Sequence, residues 1–222
     1  MHGVRPSLLL ERDRINWIRE IRNKLMNDEI KMNENASTVK LRIVGALILL
    51  LFGLYGGGSA LVSNGQASLG LVLLLTNSVA AIVIGVLLRS VIALDAPFTA
   101  NVYLAARLFE AILLGVGATV LVLADNAELN SSLYRLGMIA LGLGSIGFCR
   151  WLLSSRRIYT FHAWLGLIGY PLLVLAMIAG FFGLEFWSYA LLLPGAAFEL
   201  TFGLYLLFLG RGFAKPDIHP QC

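Results

Sequence analysis

Three ionisable residues lie inside stretches whose neighbours are hydrocarbon: Arg107 and Glu110 in Tyr103-Leu-Ala-Ala-Arg-Leu-Phe-Glu, and Glu199 in Pro194-Gly-Ala-Ala-Phe-Glu. A charged side chain in the interior of a bilayer is costly, so each demands a partner or a task. Arg107 and Glu110 are three residues apart, which puts them on one face of a helix and within reach of each other. Glu199 is the third member, and Arg107 is expected to pair with Glu110 or with Glu199. Counted from the leader-side end of each apolar stretch at ~1.5 Å per residue, all three sit about 10–15 Å deep, near the bilayer midplane. The chemistry open to such a set is proton coupling or ligand orientation by Glu199. The competing reading is a structural ion pair that fixes helix register.

Other polar or helix-disturbing residues gather at a similar depth. Asn77 stands beside Thr76, Tyr170 precedes Pro171, Pro194 precedes Gly195, and Gly53 precedes the run Gly56-Gly57-Gly58. The expected polar centre therefore comprises Arg107, Glu110, Glu199 and Asn77, enclosed by spans 2, 3, 5 and 6. Gly57, Pro171, Pro194 and Gly195 are the candidate points of helix breakage or close approach. No catalytic residue is assigned, because the paired carboxylates have no accompanying nucleophile, metal set or positioned base. No cofactor motif is assigned either: Gly142-Leu-Gly-Ser-Ile-Gly lacks the strand that a nucleotide loop needs and lies within an apolar stretch. His162 has no second His or Cys at ligand spacing. Cys149 and Cys222 make neither a disulfide framework nor a metal motif.

The elements that must position these residues are membrane helices. Hydrophobic residues make up 58% of the 222 positions and charged residues 14%, against roughly 25% charged in soluble domains. Residues 1–42 alone hold nine of the 17 Lys and Arg and six of the 13 Asp and Glu. A helix needs about 20 apolar residues to cross a ~30 Å hydrocarbon core, because every backbone amide must be satisfied internally. Six stretches qualify, at 41–62, 69–88, 100–124, 133–153, 161–183 and 187–209. The fold expected is all-α, a bundle of six transmembrane helices. Residues 1–40 form a cytoplasmic leader and 210–222 a cytoplasmic tail carrying His219 and Cys222.

Charge sets the orientation. The turn at 63–68 is uncharged, that at 125–130 is acidic, and the fifth carries only Glu185; Arg89, Arg150, Arg156, Arg157, Arg211, Lys215 and the basic leader lie on the other side. The positive-inside rule then puts both termini in the cytoplasm of a cell with the bundle in its inner, or plasma, membrane. Arg135 is the exception, and a long side chain there can snorkel to the interface. The basic balance, net +4, is used in this flanking role and forms no nucleic-acid patch. Within the leader, Ile15, Ile18, Ile21 and Leu25 share one face of a short amphipathic helix over 8–30, and Trp17 suits a headgroup layer. Met32 is an alternative start to Met1.

A three-plus-three inverted repeat would pair span 3 with span 6, and both contain Phe-Glu, at Phe109-Glu110 and Phe198-Glu199. The same residues carry a family resemblance. Tyr103-Leu-Ala-Ala-Arg107-Leu-Phe-Glu110-Ala resembles the Arg-x-x-Glu-Ala segment of the bacterial membrane family called domain of unknown function 4386 (DUF4386). Pro194-Gly195-Ala-Ala-Phe198-Glu199-Leu-Thr-Phe-Gly203 resembles its last helix. Leu41-Arg-Ile-Val-Gly45 and the Arg156-Arg157 turn fit as well, over about 38–215. The resemblance implies a six-helix bacterial membrane protein and no activity, substrate or cofactor. The partners expected are the lipid bilayer and either another membrane protein or a second copy of the chain. The residues alone favour a non-catalytic membrane subunit. The alternative is a small transporter or ligand-binding bundle built on the polar centre, and the third reading is an enzyme acting on lipid.

Overall fold

The computed structural model describes residues 6–214, which form α1 (Pro6–Ser63), α2 (Ala67–Ile92), α3 (Pro97–Ala124), α4 (Ala127–Ser155), α5 (Thr160–Phe181) and α6 (Glu185–Ala214). His2, Lys215, His219 and Cys222 lie outside the described residues, as do the side chains of Ile15, Ile18, Glu185 and Arg211. Each of the six helices contains a segment long and apolar enough to cross a membrane, that of α1 being Asn35–Ser63 and that of α6 Phe186–Gly210. The protein is therefore an all-α, multi-pass membrane bundle.

The leader helix is not a separate element. Residues 31–40 contain neither Gly nor Pro, so nothing stops the helix, and α1 runs unbroken for 58 residues into the first span. Trp17, Ile21 and Leu25 on its leader half are exposed. The turns are short and locally specified. Pro97 opens α3, where its missing N–H costs nothing. The Asn126 side chain caps α4 by accepting from the Leu129 amide at 2.9 Å.

Each helix packs on the next in chain order, and α6 closes against α1, so the six form a ring. Lipid tails are as apolar as leucine, so helices associate in a bilayer through close packing, favoured by small residues. A Cβ placed on Gly45 of α1 would stand 2.5 Å from the Gly203 carbonyl oxygen and 2.6 Å from the Leu207 nitrogen of α6. One on Gly70 of α2 would stand 2.7 Å from the Gly58 carbonyl of α1, and one on Gly169 of α5 would stand 2.9 Å from Gly195 of α6. The α3–α4 contact is equally tight where Gly144 faces Ala106.

At the leader end, Arg157 joins two turns: its guanidinium donates to Asp95 Oδ2 at 2.7 Å, and it lies 5.3 Å from the Trp151 ring centre. Tyr205 of α6 donates to the Arg157 carbonyl at 3.1 Å. At the opposite end, Arg135 lies along Gly180 with its guanidinium 5.5 Å from the Phe181 ring centre. Its charge is thus held across the α4–α5 contact.

Candidate functional site

The ring surrounds a cluster of buried charge. Arg107 is 2% exposed and Glu110 4%, in the middle third of α3. Arg107 donates through Nη1 to Glu110 Oε2 at 3.0 Å and through Nη2 to Glu199 Oε1 at 3.1 Å. Its third edge, Nε, donates to the Tyr103 hydroxyl oxygen at 3.0 Å. The Tyr170 hydroxyl donates in turn to Glu199 Oε1. Arg107 thus pairs with both acids at once, and Glu199 is not the unattended acid that a local Arg107–Glu110 pair alone would leave.

Local sequence explains half of this constellation. Tyr103, Arg107 and Glu110 are spaced i, i+4 and i+7 on α3, so they share one face. Gly85 of α2 makes room for the arginine, since a Cβ there would stand 2.9 Å from Arg107 Cβ. Glu199 and Tyr170 reach the same point from α6 and α5, where Phe198, Phe202 and Tyr170 pack as aromatic neighbours and fix the angle between these helices.

Above this cluster lies a cavity of about 280 Å³ whose lining includes Arg107, Glu110, Glu199, Asn77, Tyr170 and Gly195. Leu51 and Tyr55 of α1 and Tyr134 and Met138 of α4 also line it. All six helices therefore enclose the centre, not α2, α3, α5 and α6 alone, because the ring closes on itself. Asn77 is 3% exposed, and its side-chain oxygen has no hydrogen-bond partner in the structure. Thr76, one residue away, turns outward and donates to the Val72 carbonyl at 2.7 Å.

The helix-disturbing residues fall differently. α5 and α6 run through Pro171 and Pro194 without interruption, so neither proline breaks its helix. Gly195 is a site of close approach, to Gly169. Within the run Gly56-Gly57-Gly58 of α1 the close approach falls at Gly58, where a Cβ would be 2.9 Å from Leu74 Cγ and 3.1 Å from the Gly70 carbonyl; at Gly57 it would meet only Leu73, at 3.9 Å. His162 sits 3.0 Å from the Thr201 hydroxyl among the rings of Phe198, Phe202 and Tyr205. The two Phe-Glu pairs are not equivalent, since Phe109 is 61% exposed and Phe198 fully buried.

Three residues of the site escaped the sequence reading as participants: Tyr103, Tyr55 and Tyr134. The signal for Tyr103 was present in its spacing from Arg107. Tyr55 and Tyr134 stack at 5.0 Å across the ring, and nothing local relates α1 to α4.

What the arrangement can do follows from counting charges and lone pairs. Two carboxyl groups face one guanidinium, which leaves the cluster with one negative charge, or one proton, in excess. An unpaired amide oxygen adds a further acceptor. A buried polar atom without a partner is uncommon and calls for an explanation such as a bound molecule. Apart from Tyr55, Tyr134 and Tyr170, whose hydroxyls are polar, the rest of the wall is apolar, as ligand sites generally are.

Comparison with curated proteins and with solved structures finds no match. The family model described as domain of unknown function (DUF4386) matches residues 58–210, a stretch that takes in the whole of the charged cluster, and the chain belongs to that family.

Proposed function

We propose that this protein is a membrane-embedded ligand-binding bundle of the kind small transporters use, with its site in the central cavity above Arg107. The observation that carries the reading is the unpartnered oxygen of buried Asn77, a residue that lines the cavity together with Glu110 and Glu199. A cluster that served only to hold helices together would be expected to close over its polar atoms. Glu110 and Glu199 face the ligand, and Arg107, held on three sides, sets their geometry.

The test compares native protein with Asn77→Leu, which fills part of the cavity with apolar volume. Both are purified in mild detergent and examined by native mass spectrometry and by thermal stability with added amphiphiles of cationic, anionic and neutral head. The native protein is expected to carry a small-molecule adduct or to gain several degrees of thermal stability, and Asn77→Leu to lose that response while remaining folded. Identical behaviour of the two, with no adduct and no shift, sinks the reading. It would favour the non-catalytic subunit instead, a role supported by one observation: Arg107 already spends Nε, Nη1 and Nη2 on groups of its own chain.

Orientation belongs to the same proposal. Arg89, Arg150, Arg156 and Arg157 lie at the leader end of the ring and Asp125 and Glu128 at the other, which supports a cytoplasmic leader and a plasma-membrane location. A reporter enzyme that works only outside the cytoplasm, fused after Cys222, is expected to stay inactive, and to become active when moved to the Asp125–Asn126 turn. The reverse pattern would invert the orientation.

A further inference from the structure

The cavity is closed along the axis of the ring and open on its side. At the end away from the leader, Tyr55 of α1 and Tyr134 of α4 stack across the lumen at 5.0 Å. Toward the leader, Phe148 fills the axis, its ring centre 4.8 Å from Tyr103 and 5.6 Å from Phe202. The side wall is uneven because α1 leans. In the leader-side half of its membrane segment, Asn35–Ser63, α1 lies against α6 at Gly45 and Gly203; toward Ser63 it lies against α2, at Gly58 and Gly70. Between the two contacts, Cβ atoms placed on Gly53 and Gly56 would meet nothing within 4 Å. Of the cavity's lining, the exposed residues are Phe52, which is 40% exposed, and Gly56, both on α1. The neighbouring lining of α6, Leu192 and Ala196, is half-buried.

This mouth faces lipid. Phe52 and Gly56 lie eleven and seven residues before Ser63, the end of α1, so at ~1.5 Å per residue the mouth is about 10–16 Å inside that end of the helix. Whatever enters there comes from the hydrocarbon layer. The cavity itself, about 280 Å³, has room for roughly nine heavy atoms at the ~30 Å³ that a water molecule occupies in the liquid. That is enough for a small head and a short length of chain, with the remainder lying out through the mouth. A head that donates hydrogen bonds and carries positive charge suits this site, since it can take the place of the excess proton and reach the free acceptor of Asn77.

Building on the ligand-binding reading, we propose that the ligand is a single-chain cationic amphiphile, an alkylammonium in chemical class, which enters sideways from the bilayer between α1 and α6. Its ammonium group lies against Glu110, Glu199 and the Asn77 oxygen, replacing the proton or cation that two carboxyls beside one guanidinium require. Its chain leaves past Phe52 and Gly56.

The experiment measures binding of three probes to the full chain in lipid nanodiscs: dodecylammonium, dodecanoate and the water-soluble ethylammonium. The native protein is expected to bind dodecylammonium at least tenfold more tightly than either of the others. Gly56→Trp, placed where the backbone has free space, should weaken dodecylammonium binding at least tenfold without lowering thermal stability. Gly56→Leu provides the same test with a smaller plug should the tryptophan variant accumulate poorly. If ethylammonium binds as tightly as dodecylammonium and neither plug matters, entry from lipid is wrong while the ligand-binding reading stands. Preference for dodecanoate overturns the cationic head in the same way. If no probe binds and native protein carries no adduct, the ligand-binding reading itself has failed.

Discussion

Arg107→Ala is expected to be the most damaging single substitution at the centre of the bundle, lowering the thermal midpoint by on the order of 10 °C and sharply reducing the yield of folded protein. The guanidinium holds Glu110 at 3.0 Å and Glu199 at 3.1 Å. Removing it leaves two acids buried together with no counter-charge. Breaking a buried ion pair by deleting one partner costs about 3–5 kcal/mol, and each kcal/mol shifts the midpoint by about 2–4 °C in a chain of this size. Arg107→Lys is expected to rescue little, because a single ammonium cannot reach Glu110, Glu199 and the Tyr103 oxygen at once. The triple variant Arg107→Met, Glu110→Gln, Glu199→Gln removes all three charges together and is expected to regain most of the lost stability. It should not regain ligand binding. Cys149 is fully buried, so a thiol-reactive fluorophore reads its exposure on heating in a Cys222→Ser background. A triple variant as unstable as Arg107→Ala would show that the charges themselves, and not their imbalance, hold the helices.

The second large effect is expected at a position with no chemistry at all. Gly45→Ala should cost at least about 2 kcal/mol, whereas Gly53→Ala, two turns further along the same helix, should be neutral or stabilising by up to ~1 kcal/mol. A Cβ on Gly45 collides with backbone atoms of Gly203 and Leu207, at 2.5 and 2.6 Å. Backbone cannot rotate out of the way as a side chain can, so α1 must separate from α6 and the ring opens. At Gly53 the added methyl meets nothing within 4 Å, and replacing glycine in a helix interior removes its entropic penalty. Thermal midpoints and the monodisperse fraction in detergent, measured on both variants, check the pair. Equal stability of the two would mean that the α1–α6 contact does not hold the ring.

The contrast between Gly45 and Gly53 shows where sequence reading stops. Both glycines sit in one apolar run, and nothing in their neighbours tells which one meets another backbone. The same is true of Gly57 and Gly58, where only the second is pressed against α2, and of Thr76 and Asn77, where the first is exposed and the second buried. A span that is apolar on every side does not mark its inward face. In a soluble helix the polar stripe would have done so.

What the sequence by itself determined is therefore of two kinds. The six membrane helices follow from the requirement that a chain in hydrocarbon satisfy its own backbone amides, which any sufficiently long apolar stretch announces. The Tyr103–Arg107–Glu110 face follows from helical spacing, which is local and the same in every helix. The tertiary structure decided the rest: that Glu199, 92 residues from Arg107, shares its guanidinium; that Tyr170 completes the pair; that Asn77 is left with a free oxygen; and that Gly45 meets α6 while Gly53 meets nothing. Each of these depends on the rotation of one helix against another. Rotation is set by packing around the closed ring, where every helix constrains the next, and no single span encodes it.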